Sequence, residues 1–149
     1  MDYSIRKAVR DDVDAIAALE RACFSLPRDD AAIDRAIGDF TVAVGAGELL
    51  GYADALTVLD EGYIGNIAVS PEQRRRGIGA ALLDALLQQG REKALSFLTL
   101  EVRESNAAAR ALYLSRGFVV AGERRNVYER PRENALIMTY YYKEDGNIC

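Results

Sequence analysis

The stretch "PEQRRRGIGAALLDALL", Pro71 to Leu87, sets three consecutive arginines and two glycines at the mouth of an amphipathic run. From Gly77 the apolar residues recur at helical spacing, with Ile78, Ala81, Leu82, Ala85, Leu86 and Gln89 on one stripe and Gly90 placed to end the helix. Before it, residues 62–69 read as a strand; after it, "ALSFLTLEV" is a nearly continuous apolar run of strand length, as expected of a strand covered on both faces. Strand, helix and strand in that order predict a parallel pair joined by a crossover helix. A helix start leaves backbone N–H groups unpaired and carries about half a positive charge, so its mouth is a natural anion seat. Gly77 and Gly79 would let an anion approach the backbone closely.

Outward from this unit the chain keeps changing period. Residues 3–9 alternate as an edge strand, and "RDDVDAIAALERACF" follows as a helix capped by Asp11 or Asp12. A second short helix, roughly 29–38, starts from another acidic cap and ends at Gly38. Strands near 40–45, 49–58 and 62–69 form an antiparallel meander, joined by a Gly-Ala-Gly-Glu hairpin turn and an Asp60-Glu61-Gly62 turn. Past the crossover, "SNAAARALYLSR" is a helix from a Ser105 or Asn106 cap to a stop at Gly117, and strands near 118–128 and 134–143 close the chain. The fold class is therefore α/β (α+β): a mixed, mostly antiparallel sheet of about seven strands with one parallel pair, and about four helices on both faces. Residues 1–149 are expected to form a single domain, with a loose tail at 143–149.

Composition narrows the function. The net charge of −4, from 23 acidic and 19 basic side chains, argues against a dedicated nucleic-acid binder and suits a basic or amine-bearing partner. With no histidine in the chain, Ser-His-Asp and Cys-His nucleophilic machinery and His-dependent zinc sites are excluded, so no metal is expected. Acid and base must come from Glu, Asp, Tyr, Lys or Cys. Cys23 and Cys149 are the only cysteines and make neither a disulfide framework nor a Cys-x-x-Cys pair; Cys23 reads as packing. The N-terminus lacks the apolar core of a signal peptide, and no apolar run approaches the ~18 residues of a membrane span, so a cytoplasmic protein without membrane contact is expected.

The anion seat itself has several readings. Gly77-Ile78-Gly79 lacks the third glycine of a dinucleotide fingerprint, and the Lys-Ser/Thr of a phosphate-binding P-loop is missing. What remains is R-x-x-G-x-G, Arg74 to Gly79, which read alone is equally a solvated basic turn.

Together, "NIAVSPEQRRRGIGAALLDALL" and "LTLEVRESNAAARALYLSRGF" resemble the GNAT family of N-acetyltransferases, most closely the branch acting on the N-terminal alanine of bacterial ribosomal proteins. The resemblance runs strongly from about Asn66 to Met138 and implies acetyl-CoA as co-substrate. It implies a pyrophosphate loop of Arg74, Arg75, Arg76, Gly77, Ile78, Gly79 and Ala80, in which Arg75 and Arg76 frame the phosphates and Arg74 can equally face solvent. Ile67, Ala68 and Val69 would lie along the pantetheine arm, which Asn106 would also bind. CoA is a polyanion with an extended amide arm, and a basic helix start beside a strand edge answers both features.

Acetyl transfer to an amine needs a neutral amine, a stabilised oxyanion and a proton for the departing thiolate. Alternation puts Phe97, Thr99 and Glu101 on one strand face, and Tyr113 lies seven residues, two helical turns, beyond Asn106. By resemblance and by residue type, Glu101 is the base, Tyr113 the acid, and a backbone N–H near Val69 meets the oxyanion, in a direct transfer without an acyl-enzyme. Outside the motif, a strand-end glutamate is commonly a solvated carboxylate and a helical tyrosine core packing. The pattern "RRNxYxxPxExAxIM" supplies Asn126, Tyr128 and Glu133 as acceptor-binding candidates and favours a protein or peptide N-terminus, such as a ribosomal one. Carboxylates at Asp54, Asp60, Glu61 and Glu133 would suit basic tails. One departure stands out: the family often has Pro-Trp after the first helix, and here Pro27 is followed by Arg28. The alternatives are a GNAT enzyme acting on lysine side chains or a small amine, and a CoA-binding module without catalysis.

Overall fold

The computed structural model describes residues 2–129 and 131–142; the tail expected to be loose lies outside the described residues. Among them are seven strands: β1 (Ser4–Lys7), β2 (Phe40–Gly45), β3 (Glu48–Val58), β4 (Glu61–Val69), β5 (Phe97–Arg103), β6 (Val119–Tyr128) and β7 (Glu133–Tyr141). Four α-helices accompany them: α1 (Val13–Cys23), α2 (Asp30–Arg35), α3 (Ile78–Glu92) and α4 (Ala107–Ser115). The strands run in the order β1-β2-β3-β4-β5-β7-β6, the mixed sheet expected from the alternating periods. By contact the chain divides into two units, residues up to Leu56 with Ile64–Gln89, and Thr57–Tyr63 with the residues from Gly90 on.

In the first unit β1 and β3 both pair antiparallel with β2, which places Ile5 beside Ala43 and Val42 beside Tyr52. Between β2 and β3 the two-residue turn puts Ala46 at φ 52° and Gly47 at φ 77°, the left-handed pair that matches strand twist in a tight hairpin. The apolar stripe of α1, Val13, Ile16, Ala17 and Leu19, packs with Ile33, Phe40, Val42 and Tyr52 into one core. Asp12 stands at the start of α1, but its carboxylate accepts from Arg6 Nη1 at 2.8 Å and from the Val9 N–H at 2.7 Å. It ties β1 to the entry turn rather than capping the helix. Asp29 does cap α2, accepting the Ala32 N–H at 2.8 Å. Gly38 is not the terminator expected: α2 stops at Arg35, and Gly38 lies in a 3₁₀ turn, Ile37–Asp39.

In the second unit β4 and β5 are the parallel pair, in register from Glu61–Phe97 to Tyr63–Thr99, although β4 runs on to Val69 and β5 to Arg103. β7 pairs antiparallel along the whole of β5, and β6 with β7. Leu98, Leu100 and Val102 are buried while Glu101 is exposed, so β5 alternates instead of being covered on both faces. The turn before β4 is Leu59-Asp60, with Leu59 at φ 56°, not Asp60-Glu61-Gly62. Gly62 sits inside β4 because a Cβ there would come within 2.6 Å of Leu98 Cδ1 and 2.8 Å of Leu95 Cδ1.

Gly90 likewise does not end α3. It lies within the helix, where a Cβ would overlap the Tyr142 hydroxyl. The stop comes at Ala94, left-handed at φ 57°, with Leu95 N–H donating to Gly90 O at 3.0 Å and Ala94 N–H to Arg91 O at 3.1 Å. This is the paired 6→1 and 5→2 closure of a Schellman cap, with alanine at the position glycine usually takes. A left-handed alanine costs about 1–2 kcal/mol, and glycine gives back about 0.4–1 through the unfolded chain. Ala94→Gly is therefore expected to raise stability by up to about 1.5 kcal/mol, and Gly90→Ala to lower it, both read by urea denaturation.

Candidate functional site

Past the end of β4, the Ser70 N–H donates to Leu50 O at 2.8 Å and the chain makes one 3₁₀ turn, Pro71–Gln73. Arg75 then takes φ 67° and Gly77 φ 77°, and α3 opens at Ile78. Ala81 N–H donates to Gly77 O at 3.0 Å, so the N–H groups of Ile78, Gly79 and Ala80 precede the helical ladder. Gly77 is required by its own backbone angle. Gly79 is not: a Cβ there would meet only Val69 Cγ2, at an ordinary 3.7 Å.

The three arginines divide. Arg74 Nε turns back to Val69 O at 3.3 Å and its Nη2 lies 3.8 Å from Cys23 Sγ. Arg76 Nη1 donates to Gln73 Oε1. Arg75, exposed, has no hydrogen bond or ion pair among the described residues, so its guanidinium is open to an anion. Upstream, Ile67 and Val69 are half-buried, whereas the Ala68 side chain belongs to the core and its carbonyl faces Gly51.

Beside that strand lies a polar cluster that sequence reasoning missed. Glu20, on the apolar stripe of α1 four residues after Ile16, is 1% exposed. Its carboxylate accepts from Arg28 N–H at 2.8 Å, Arg28 Nη2, Tyr52 hydroxyl at 2.5 Å and Asn66 Nδ2 at 3.1 Å. Arg28 also forks onto Asp54, with both N–O distances 3.1 Å, and its guanidinium lies 5.1 Å from the Phe40 ring centre. Asp54 Oδ1 in turn accepts the Asn66 N–H at 3.0 Å. Burial opposes the Glu20 charge, but the donors from Arg28, Tyr52 and Asn66 outweigh it and hold the carboxyl at about 2. Burial, then Glu20, pushes the Tyr52 phenol up. The residue flagged as a departure, Arg28, is thus the counter-charge of two buried carboxylates. The signal in the sequence was a glutamate on an apolar helix face. Asp54, read as an acidic groove residue, is committed to this cluster.

In the second unit the proposed proton-handling residues have these surroundings. Glu101 Oε2 accepts from Arg124 Nη1 at 2.6 Å, and its Oε1 has no hydrogen bond among the described residues. Tyr113 packs on Phe118, ring centres 5.6 Å apart, and burial, with Tyr128 adding, pushes its phenol up. Asn106 caps α4, Oδ1 accepting the Ala109 N–H at 3.1 Å, which leaves its Nδ2 for another partner. Glu133 is a brace: it accepts from Arg103 Nη1 at 3.0 Å, Ser105 N–H at 2.9 Å and Ser105 Oγ at 3.0 Å. Tyr128 lies under Arg103, 4.3 Å from ring centre to guanidinium carbon, and burial, with Glu101 adding, pushes its phenol up.

A bulge sets the position of Tyr128. The β6–β7 register passes from Arg124–Ala135 to Tyr128–Glu133, with Asn126 left-handed at φ 55°. Asn134, also missed, holds the bulge: its Oδ1 accepts the Asn126 N–H at 2.9 Å and its Nδ2 donates to Glu123 Oε1 at 2.6 Å. Asn126, Glu133 and Asn134 line an open groove of about 520 Å³ together with Ser105, Arg110 and Arg132.

Residues 9–118 match the family model described as the acetyltransferase (GNAT) family, and the chain belongs to that family. The ribosomal protein bS18-alanine N-acetyltransferase of Escherichia coli strain K12 is 47% identical over 94 residues, 62% of this chain and 64% of that relative. The match thus spans under two thirds of that relative's length. The crystal structure of the ribosomal-protein-S18-alanine N-acetyltransferase from Escherichia coli superposes with a TM-score of 0.88 at 32% identity, covering 99% of both chains. Ard1 from Thermoplasma volcanium superposes with a TM-score of 0.86 at 28% identity, covering 97% of this chain and 100% of that one.

The buried cluster generates its own prediction. Arg28→Met strands Glu20 without its counter-charge, and losing one partner of a buried pair costs about 3–5 kcal/mol. The Glu20 carboxyl is held near 2 against an ordinary 4.5, so its contribution is full above pH 4.5 and is lost as pH falls toward 2. Urea unfolding across that window is expected to show falling stability in the unsubstituted protein and a flatter dependence in Arg28→Met.

Proposed function

We propose that this chain transfers an acetyl group from acetyl-CoA directly to the N-terminal α-amine of a protein, the alanine terminus of a ribosomal protein foremost, in the cytoplasm. The family match runs through both units, and the 47% identical relative is named a ribosomal protein bS18-alanine N-acetyltransferase. The observation that carries the reading is the start of α3, where Arg75, without a partner among the described residues, and three N–H groups ahead of the ladder flank Gly79, a glycine that the protein's own packing does not require. That set fits a pyrophosphate. Arg75, Gly77, Ile78, Gly79 and Ala80 are assigned to it, with Arg74 and Arg76 supporting the loop from Val69 O and Gln73. The backbone of Ile67–Val69 and Asn106 Nδ2 are assigned to the pantetheine arm.

Acetyl-CoA supplies the activated thioester. The amine nitrogen forms a bond to the carbonyl carbon and the carbon–sulfur bond breaks. Glu101 takes the amine's proton, directly or through water, on its open Oε1. Tyr113 gives a proton to the departing sulfur, and its raised pKa keeps the phenol protonated at neutral pH. Tyr128 and Asn126, set by the bulge, are assigned to the acceptor backbone, while Glu133 supports them from behind.

Peptides that differ only in a free or blocked α-amine test the reading. Mass spectrometry after incubation with acetyl-CoA is expected to find the acetyl group on free alanine termini; transfer confined to blocked, lysine-bearing peptides overturns it. General acid–base groups typically contribute ~10²–10⁴. Glu101→Gln is expected to lower kcat within that range, and Tyr113→Phe by about one to two orders of magnitude, in steady-state assays. Gly79→Ala adds a methyl group where the fold has room, so its melting temperature is expected to hold or rise, since alanine gains about 0.5–1 kcal/mol over glycine in a helix. KM for acetyl-CoA is expected to rise in the same variant.

A further inference from the structure

Two arginines share the sheet face that carries Glu101, and they are held very differently. β7 sets the frame, since Arg103 and Arg124 both pair with Ala135 and Glu101 pairs with Ile137. Arg103 is fixed from three sides: Nη1 donates to Glu133 Oε2 at 3.0 Å and to Pro131 O at 3.4 Å, and its guanidinium covers the Tyr128 ring. Arg124 makes one hydrogen bond, to Glu101 Oε2, and no other among the described residues. It stands on β6, the last strand in the order, with its side chain 57% exposed.

The carboxylates on this side divide in the same way. Glu133 has both oxygens engaged, one by Ser105 N–H and the other by Ser105 Oγ and Arg103. Glu101 has one oxygen open and the other on a single contact to a solvent-facing partner. A second cation entering here would find Glu101 ready to receive it and Arg124 free to leave. Exposed ion pairs of this kind contribute little and are readily exchanged.

We infer that Arg124 is an internal stand-in for the acceptor's ammonium group: the amine docks charged on Glu101, displaces the Arg124 guanidinium into solvent, and only then gives up its proton. This rests on the proposed N-terminal acetylation and adds to it the form in which the acceptor is recognised. Exchange of one cation for another keeps Glu101 charged throughout docking, so the carboxylate need never be bare on the sheet face. Arg124 then acts through Glu101, as a positioning residue that competes with the acceptor.

The test is steady-state kinetics of the full chain with an alanine-starting peptide and acetyl-CoA. Arg124→Met keeps the length of the side chain and removes its charge. Given the small strength of exposed pairs, KM for the peptide is expected to fall about two- to fivefold, with KM for acetyl-CoA unchanged. Arg124→Lys keeps a displaceable cation and is expected to hold the peptide KM near that of the unsubstituted protein. In a Glu101→Gln background the Arg124→Met effect on peptide KM is expected to vanish, because no carboxylate is left to compete for. A peptide KM that is unchanged or raised in Arg124→Met, an equal shift in Arg124→Lys, or an effect that persists in Glu101→Gln overturns the inference. If the unsubstituted protein acetylates no free α-amine at all, it is the proposed function that fails, and the two failures are distinguishable.

Discussion

A buried carboxylate governs the first unit. Glu20 reaches the core on a helix face otherwise lined by Ile16 and Ala17, and it is tolerable there only because five donors surround it. They come from three places: the loop after α1 through Arg28, β3 through Tyr52, β4 through Asn66. Glu20 thereby fixes the loop, both strands and the helix against one another more specifically than apolar packing would. Asn66 is the residue before Ile67, so the segment assigned to the pantetheine arm inherits its position from this cluster. Gly65 belongs to the same arrangement, since a Cβ there would overlap the Asp54 carboxylate.

Periodicity made most of the fold legible. The amphipathic stripe of α3, the apolar run of β5 and the Asn106 cap of α4 were readable because their causes are local. The errors cluster at glycines. Gly38, Gly62 and Gly90 read as punctuation, yet Gly62 and Gly90 serve close approach to Leu98 and Tyr142, contacts made by distant parts of the chain. The left-handed turns fall partly on Ala46, Leu59 and Ala94, where nothing in residue type announces them. Tertiary context overrode the local preference in both directions.

At the candidate site the places of Glu101 on β5 and Tyr113 on α4 were readable, and their partners were not. A carboxylate at the end of β5 on the solvent side follows from alternation, but its pairing with Arg124 depends on the β6–β7 register. That register slips at a bulge held by Asn134, a side chain with no local signature. Glu133 is the instructive case. Its position in a family-like pattern suggested a ligand for the acceptor, and the structure gives both of its oxygens to Ser105 and Arg103. Arg28 shows the reverse, since a departure from the pattern marks the ion that keeps two buried charges in place.

The left-handed Arg75 has a consequence for how an anion would be held. A non-glycine residue in that region costs about 1–2 kcal/mol, and the fold carries that cost in the turn between β4 and α3. A phosphate at the start of α3 would meet the exposed Arg75 and the N–H groups of Ile78, Gly79 and Ala80, which precede the helical ladder. Affinity at such a seat would fall with added salt, since the open charge is in reach of solvent. Of the three arginines Arg75 would supply the open charge, while Arg74 and Arg76 brace the loop through Val69 O and Gln73.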